Sequence, residues 1–230
     1  MTGAAIALSG VTKTFTMHLQ GGAQLPAVAG VGFTVDFGEC VVLHGPSGAG
    51  KSSILKIIYG NYRCDIGRVS VRQDDVETDV AIAAPRRILA LRKYTIGYVS
   101  QFLRVMPRVA TLAIVAGAAR EQGAPAAEAE ARAAAMLRRL NVPERLWRLP
   151  PATFSGGEQQ RVNIARGLVA RHPILLLDEP TASLDAANRA TVVELIAEKK
   201  AAGVAILGIF HDDDVRARVA DRIITLRSAA

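Results

Sequence analysis

Residues 45–52 read G-P-S-G-A-G-K-S and satisfy the pattern G-x-x-x-x-G-K-[ST] at every fixed position. Backbone geometry explains why this spacing points to a phosphate. Gly45, Gly48 and Gly50 let successive N–H groups turn inward around an anion, with no Cβ in the way. Lys51 adds a point charge for β/γ-phosphates, and the Ser52 hydroxyl can coordinate Mg2+. The flanks agree with the motif. Residues 39–44, E-C-V-V-L-H, are apolar and β-branched like a buried strand. Residues 53–59, S-I-L-K-I-I-Y, predict a helix with Ile54, Leu55 and Ile58 on one face and its positive dipole end beneath the phosphates. A Gly-rich turn alone need bind nothing; a strand before it and a helix after it favour a nucleotide loop.

The 230 residues, half of them apolar, suffice for one sizeable core and a small second lobe. No window is long and uncharged enough to span a bilayer, and residues 1–10 lack the basic and apolar regions of an export signal. The expectation is therefore a soluble, cytoplasmic protein. Cys40 and Cys64 sit in no C-x-x-C or His cluster and are expected as free thiols, Cys40 within a core strand. The net charge of +7 comes from arginines spread over many segments, and pairs such as 86/87, 138/139 and the set 216, 218 and 222 read first as solvated helix faces. With few aromatics to stack bases, no direct nucleic-acid partner is expected.

The chain opens β-rich, with strands expected over 4–16 and 31–43 joined by a loop through Gly21 and Gly22. Phe15 lies just before that loop, where its ring would either stack on an adenine or pack in the core. Residues 67–72 alternate like a short strand, Pro85 opens a helix to about Tyr94, and a strand at 96–100 delivers Gln101 at its end, where α/β sheets carry ligand groups. From about 107 to 149 the texture turns to Ala, Arg, Glu and Leu, marking a helical second lobe with a strong helix at 126–140.

Residues 154–158, F-S-G-G-E, open an amphipathic helix to Val169. Ser155 is a credible N-cap with Glu158 three residues on, which is also how an ordinary capping box reads. Residues 174–177, I-L-L-L, form a buried strand that ends in Asp178 and Glu179. Two adjacent acids after four aliphatics seldom serve packing: Asp178 can hold Mg2+, and Glu179 can accept the proton of an attacking water. A turn at 181–185 leads into a helix around 191–199. The core strand expected at 203–210 sets His211 at its C-terminal end, able to donate to a γ-phosphate oxygen, and a terminal edge strand is expected at 223–226.

In this order the loop at 45–52, Gln101, residues 154–158, Asp178-Glu179 and His211 resemble the ATP-binding-cassette (ABC) ATPases over essentially the whole chain. The resemblance implies an α/β fold: a RecA-like P-loop core with an antiparallel β subdomain (about 1–101 and 166–230) and an inserted helical subdomain (about 102–165). It implies ATP and Mg2+ as cofactors, held by Gly45, Pro46, Ser47, Gly48, Ala49, Gly50, Lys51, Ser52 and Ser53. Gln101 would sense the metal beside Ser52 and Asp178, Glu179 would polarise water, and His211 would contact the γ-phosphate. It also implies a homodimer or a heterodimer with another cassette. There ATP is sandwiched between one subunit's loop and the other's Ser155, Gly156, Gly157 and Glu158, with Asp185 along the seam. Departures are mild: Phe154, Glu158 and Ser53 stand where the family often has Leu, Gln and Thr, and Phe15 where the adenine-stacking residue is usually Tyr.

A narrower similarity lies in residues 43–47 (L-H-G-P-S), 97–108 (G-Y-V-S-Q-F-L-R-V-M-P-R) and 208–212 (G-I-F-H-D), which resemble the PhnL family of the bacterial carbon-phosphorus lyase system. That likeness implies a non-transporting ATPase that works with a multi-subunit phosphonate-processing complex making ribose 1-phosphonate 5-triphosphate. The alternative is the ATPase of a transporter with a separate permease, of the lipoprotein-release or importer type. A third reading, a nucleotide-gated clamp with negligible turnover, conflicts with Glu179. The first two should differ at the surface after Gln101, where Phe102, Leu103, Arg104 and Met106 are placed to meet a partner.

Overall fold

A computed structural model describes residues 4–17, 21–103 and 107–228. The loop at 45–50 belongs to a five-stranded sheet in the order β6-β7-β8-β3-β9, formed by β6 (Ile96–Val99), β7 (Ile174–Asp178), β8 (Ala205–Ile209), β3 (Cys40–His44) and β9 (Arg222–Thr225). Every pairing in it is parallel. Both faces are covered, which is why these strands read as continuous apolar runs. Alternate residues divide between two cores. Val41, Leu43, Ile174 and Leu176 face one, and Cys40, Val42, Leu175 and Leu177 the other.

The first core is closed by α1 (Lys51–Ile58) and by a four-stranded antiparallel sheet ordered β2-β1-β4-β5: β1 (Ala4–Met17), β2 (Ala23–Asp36), β4 (Ile66–Gln73) and β5 (Val76–Asp79). Ile54, Leu55 and Ile58 of α1 are fully buried there. Each contributes roughly 1.5–3 kcal/mol by leaving water. The second core packs α3 (Thr111–Glu121), α4 (Ala126–Arg139), α5 (Gly156–Val169) and α6 (Ala186–Ala201) against the opposite face. Helices α2 (Pro85–Tyr94) and α7 (Asp213–Val219) complete the chain.

The strand expected over 31–43 is in fact two. Gly38, at φ 77°, makes a turn after Asp36, closed by the Glu39 N–H on the Asp36 carbonyl at 3.2 Å, so β2 and β3 enter different sheets. β5 was not anticipated, whereas Arg216 and Arg218 do lie on a helix, α7. Arg222 stands in a strand and not on a helix face; it bridges Glu39 at 2.8 Å. Both cysteines are free, Cys40 buried as expected. Leu103, expected to face a partner, is instead buried with the helical core, whereas Phe102 is 72 % exposed. Arg104 and Met106 lie outside the described residues. Among the described residues no helix is long and apolar enough to cross a membrane.

Candidate functional site

Four neighbouring parallel strands bring the sequence-picked groups to one edge of the sheet, the carboxyl edge where open α/β sheets gather ligand groups. β3 runs into the loop, β6 into Gln101, β7 ends at Asp178, and β8 leads through Phe210 to His211.

The loop is tight because two of its glycines have no room to be anything else. A Cβ on Gly50, at φ 81°, would lie 2.0 Å from the Ala27 carbonyl, and one on Gly45, at φ 145°, 2.5 Å from the Leu226 carbonyl. Gly50 is also the residue before α1, so the helix starts directly under the loop. Pro46, Ser47 and Gly48 are exposed, Ser53 is half-buried, and Ala49 and Lys51 are buried. The Lys51 ammonium donates to two carbonyls of its own loop, those of Gly45 (2.7 Å) and Pro46 (2.8 Å). A phosphate in the loop offers that ammonium a stronger, charged acceptor.

Beside it, the Ser52 hydroxyl donates to Asp178 Oδ1 at 2.9 Å, and the Tyr98 hydroxyl donates to Asp178 Oδ2 at 2.8 Å. Asp178 is 4 % exposed. Burial, and next the Asp178 charge, push the Tyr98 phenol well above its ordinary value, so it stays a donor. Ser52 and Asp178 are hard oxygen groups side by side. They fit Mg2+, which takes one or two protein oxygens and completes its shell with phosphate and water. Among the described residues no cluster of three His, Cys, Asp or Glu forms a separate metal cage.

Glu179 sits at φ 52°, an uncommon backbone conformation for a non-glycine residue and one that concentrates at functional sites. Its two carboxylate oxygens are held from opposite sides. Gln101 Nε2 donates to Oε2 at 3.1 Å, and His211 Nε2 lies 2.7 Å from Oε1. Gln101 thus touches Glu179, and it also lines, with Ser52, Tyr98 and Asp178, a cavity of about 510 Å3. A smaller cavity of about 190 Å3 is walled by Glu179, Thr181, Arg189 and His211.

The remaining candidates lie apart from this cluster. The S-G-G-E start of α5 is a complete capping box: Ser155 Oγ accepts from the Glu158 N–H at 3.3 Å, and Glu158 Oε2 accepts from the Ser155 N–H at 2.9 Å. The Ser155 N–H and the Ser155 hydroxyl, which donates to the same Oε2 at 2.8 Å, hold the Glu158 carboxyl below the usual range. Ser155 and Gly156 are exposed, and Gly157 approaches the Ser183 carbonyl, which a Cβ would meet at 3.1 Å. Among the described residues no hydrogen bond joins this tip to the loop at 45–52. Asp185 caps α6 through the Asn188 N–H at 2.8 Å. Phe15 is half-buried, its ring edge-on to Tyr62 at 5.1 Å.

Sequence reading missed three polar side chains. Tyr98 holds Asp178. Gln160 donates to the Pro180 carbonyl at 3.0 Å, and Asn163 to the Ser100 carbonyl at 2.6 Å, tying α5 to the segments that carry Glu179 and Gln101. For Gln160 and Asn163 the one signal was a polar residue on the inward side of an amphipathic helix, and Tyr98, in a strand, had none.

A family profile described as ABC transporter matches residues 28–182. The chain is 36% identical over 228 residues to a lipoprotein-releasing system ATP-binding protein, LolD 2, of Caulobacter vibrioides, covering 99% of this chain and 96% of that one. It is 35% identical to the macrolide export ATP-binding/permease protein MacB of Hyphomonas neptunium, of whose length it spans only 34%. Among solved structures it resembles the dimeric ATP-binding cassette MJ0796 bound to ADP and Pi, with TM-score 0.86 and 31% identity over 97% of this chain and 94% of that one. This chain therefore belongs to the ABC transporter family, as one of its P-loop ATPase cassettes.

Proposed function

We propose that the chain binds Mg-ATP in the loop at 45–53 and hydrolyses it at a site completed by a second cassette, either its own copy or a paired one. The observation that carries this is the grip on Glu179: a carboxylate fixed by Gln101 and His211, next to the Asp178–Ser52 pair and at the mouth of the loop. In this reading Lys51 exchanges its loop carbonyls for β/γ-phosphate oxygens. Glu179 accepts the proton of the attacking water, and His211 donates to the γ-phosphate. Mg2+, when bound, neutralises phosphate charge beside Ser52 and Asp178, with Gln101 at the edge of that site.

Ser155 and Gly156 are exposed and Gly157 is half-buried at a helix N-terminus, and among the described residues no hydrogen bond joins them to their own chain's loop. The partner's triphosphate would place negative charge there, at the positive end of α5. The dimeric cassette that held ADP and Pi supports the same arrangement. Glu158 supports it indirectly, by fixing the tip. Asp185 is exposed at the start of α6 and is assigned to the seam, and Phe15 to the adenine edge of the loop.

Two readings of the partner rest on specific observations. The named relatives are transporter ATPases or ATPase–permease chains, and of the two readings they better back a membrane permease engaged from the cytoplasmic side. The multi-subunit phosphonate-processing complex rests on the narrower likeness of residues 43–47, 97–108 and 208–212 to the PhnL family. The family match, by contrast, spans ATP machinery that both readings share. The test is affinity capture of the tagged chain from its native cells, with soluble and detergent-extracted membrane fractions kept apart. An integral membrane protein in stoichiometric yield supports the permease and overturns the phosphonate reading. A soluble multi-subunit enzyme that acts on alkylphosphonates does the reverse.

A further inference from the structure

From the hydrogen bond between Tyr98 and Asp178 we infer that Tyr98 is a positioning residue for the metal site, aiming the Asp178 carboxylate and joining it to the Tyr59–Arg92 stack. The inference rests on the ATPase reading above. A carboxylate bound at one oxygen can still swing about its Cβ–Cγ bond. Asp178 is bound at both, by Ser52 on Oδ1 at 2.9 Å and by Tyr98 on Oδ2 at 2.8 Å. Its remaining lone pairs are thereby fixed in direction before any cation arrives, and outer partners of this kind tune metal sites strongly.

Tyr98 is itself held. It stands in β6 opposite Leu176, two residues before the end of β7. Its ring stacks on Tyr59 at 5.0 Å, with the planes 28° apart. The Arg92 guanidinium lies 4.8 Å over the other aromatic, Tyr59, donates to the Tyr59 carbonyl at 2.9 Å, and reaches Asn61 Oδ1 at 2.8 Å. Core filling does not require this arrangement: a phenylalanine at position 98 would stack equally well, so the hydroxyl serves the carboxylate. Arg92, Tyr59 and Tyr98 line the same cavity as Ser52, Gln101 and Asp178. Whatever displaces Arg92 or Tyr59 moves the support of the metal site.

The test is Tyr98→Phe, which keeps the ring and removes one oxygen. Affinity for a fluorescent ATP analogue is titrated twice, in EDTA and against Mg2+, with the thermal midpoint measured on the same samples. The expected result is an unchanged affinity in EDTA and an Mg2+ midpoint about tenfold higher, with turnover recovered at high Mg2+. An unchanged Mg2+ midpoint overturns the proposal. So does an equal loss of affinity with and without Mg2+, or a variant that fails to fold, because each assigns the hydroxyl to packing alone. If the wild type itself shows no Mg2+-dependent binding, the ATPase reading fails and not merely the role of Tyr98.

Discussion

At the residue scale, the function depends on a few charged and polar groups whose neighbours leave them little freedom. Lys51 is the clearest, since among the described residues its ammonium has only backbone carbonyls as partners. Lys51→Ala removes the charge proposed for the β/γ-phosphates, and by analogy with losing a preorganised donor, turnover should drop about 10²- to 10³-fold. Steady-state phosphate release with saturating ATP checks this. A loss below about tenfold would mean the loop backbone alone carries the phosphates. Lys51, Asp178, Glu179 and His211 were legible in the sequence because each stands where a glycine-rich turn or an aliphatic run stops. Tyr98 was not, because a tyrosine inside an apolar strand reads as core until its hydroxyl is seen to meet a carboxylate. Leu103 was misread for a related reason: a short loop without periodicity does not tell which of two adjacent apolar residues turns inward.

At the scale of elements, the start of α5 shows one feature serving two ends. The S-G-G-E turn is a capping box, as ordinary helix chemistry requires, and that cap holds exposed Gly156 and half-buried Gly157 at a fixed tip. Ser155→Ala should lower stability by about 1 kcal/mol, read as a fall in the thermal midpoint. The pH dependence follows from the Glu158 carboxyl, which its bonds to Ser155 hold below the ordinary range. A depressed folded-state value means that the contribution is present above the unfolded carboxylate range, near pH 4.3, and is lost as pH falls through the lower folded value. The difference between wild type and Ser155→Ala should therefore shrink as pH falls below about 4. A difference constant down to pH 3 would remove the carboxylate from the account. The break at Gly38 that separates β2 from β3 escaped sequence reading because both flanks are β-formers. The left-handed turn is signalled there by a single glycine, while sheet membership is settled by partners far along the chain.

At the scale of the whole molecule, two cores flank one parallel sheet, and Cys40 faces the helical one with no exposed surface. Burial, followed by the nearby Asp221 charge, pushes its thiol up to about 12. In the native protein a thiol reagent should modify half-buried Cys64 alone, and Cys40 only with global unfolding. Equal native rates at both would contradict the packing described. The fold class was legible through the family resemblance that the phosphate loop, the S-G-G-E turn and the strand-end acids carry, and the strands beside them through their apolar runs. The partner was not, because the groups that hydrolyse ATP are the same whatever the motion drives.

The central claim is that two cassettes close on ATP, and the variant that separates closure from chemistry is Glu179→Gln. It keeps the side-chain shape and removes the base. Size-exclusion chromatography with multi-angle light scattering, on this variant with saturating Mg-ATP, should give a species of twice the 24.4 kDa chain mass that reverts to monomer when nucleotide is removed. A monomer under conditions where bound ATP is verified would contradict the sandwich for this chain paired with itself.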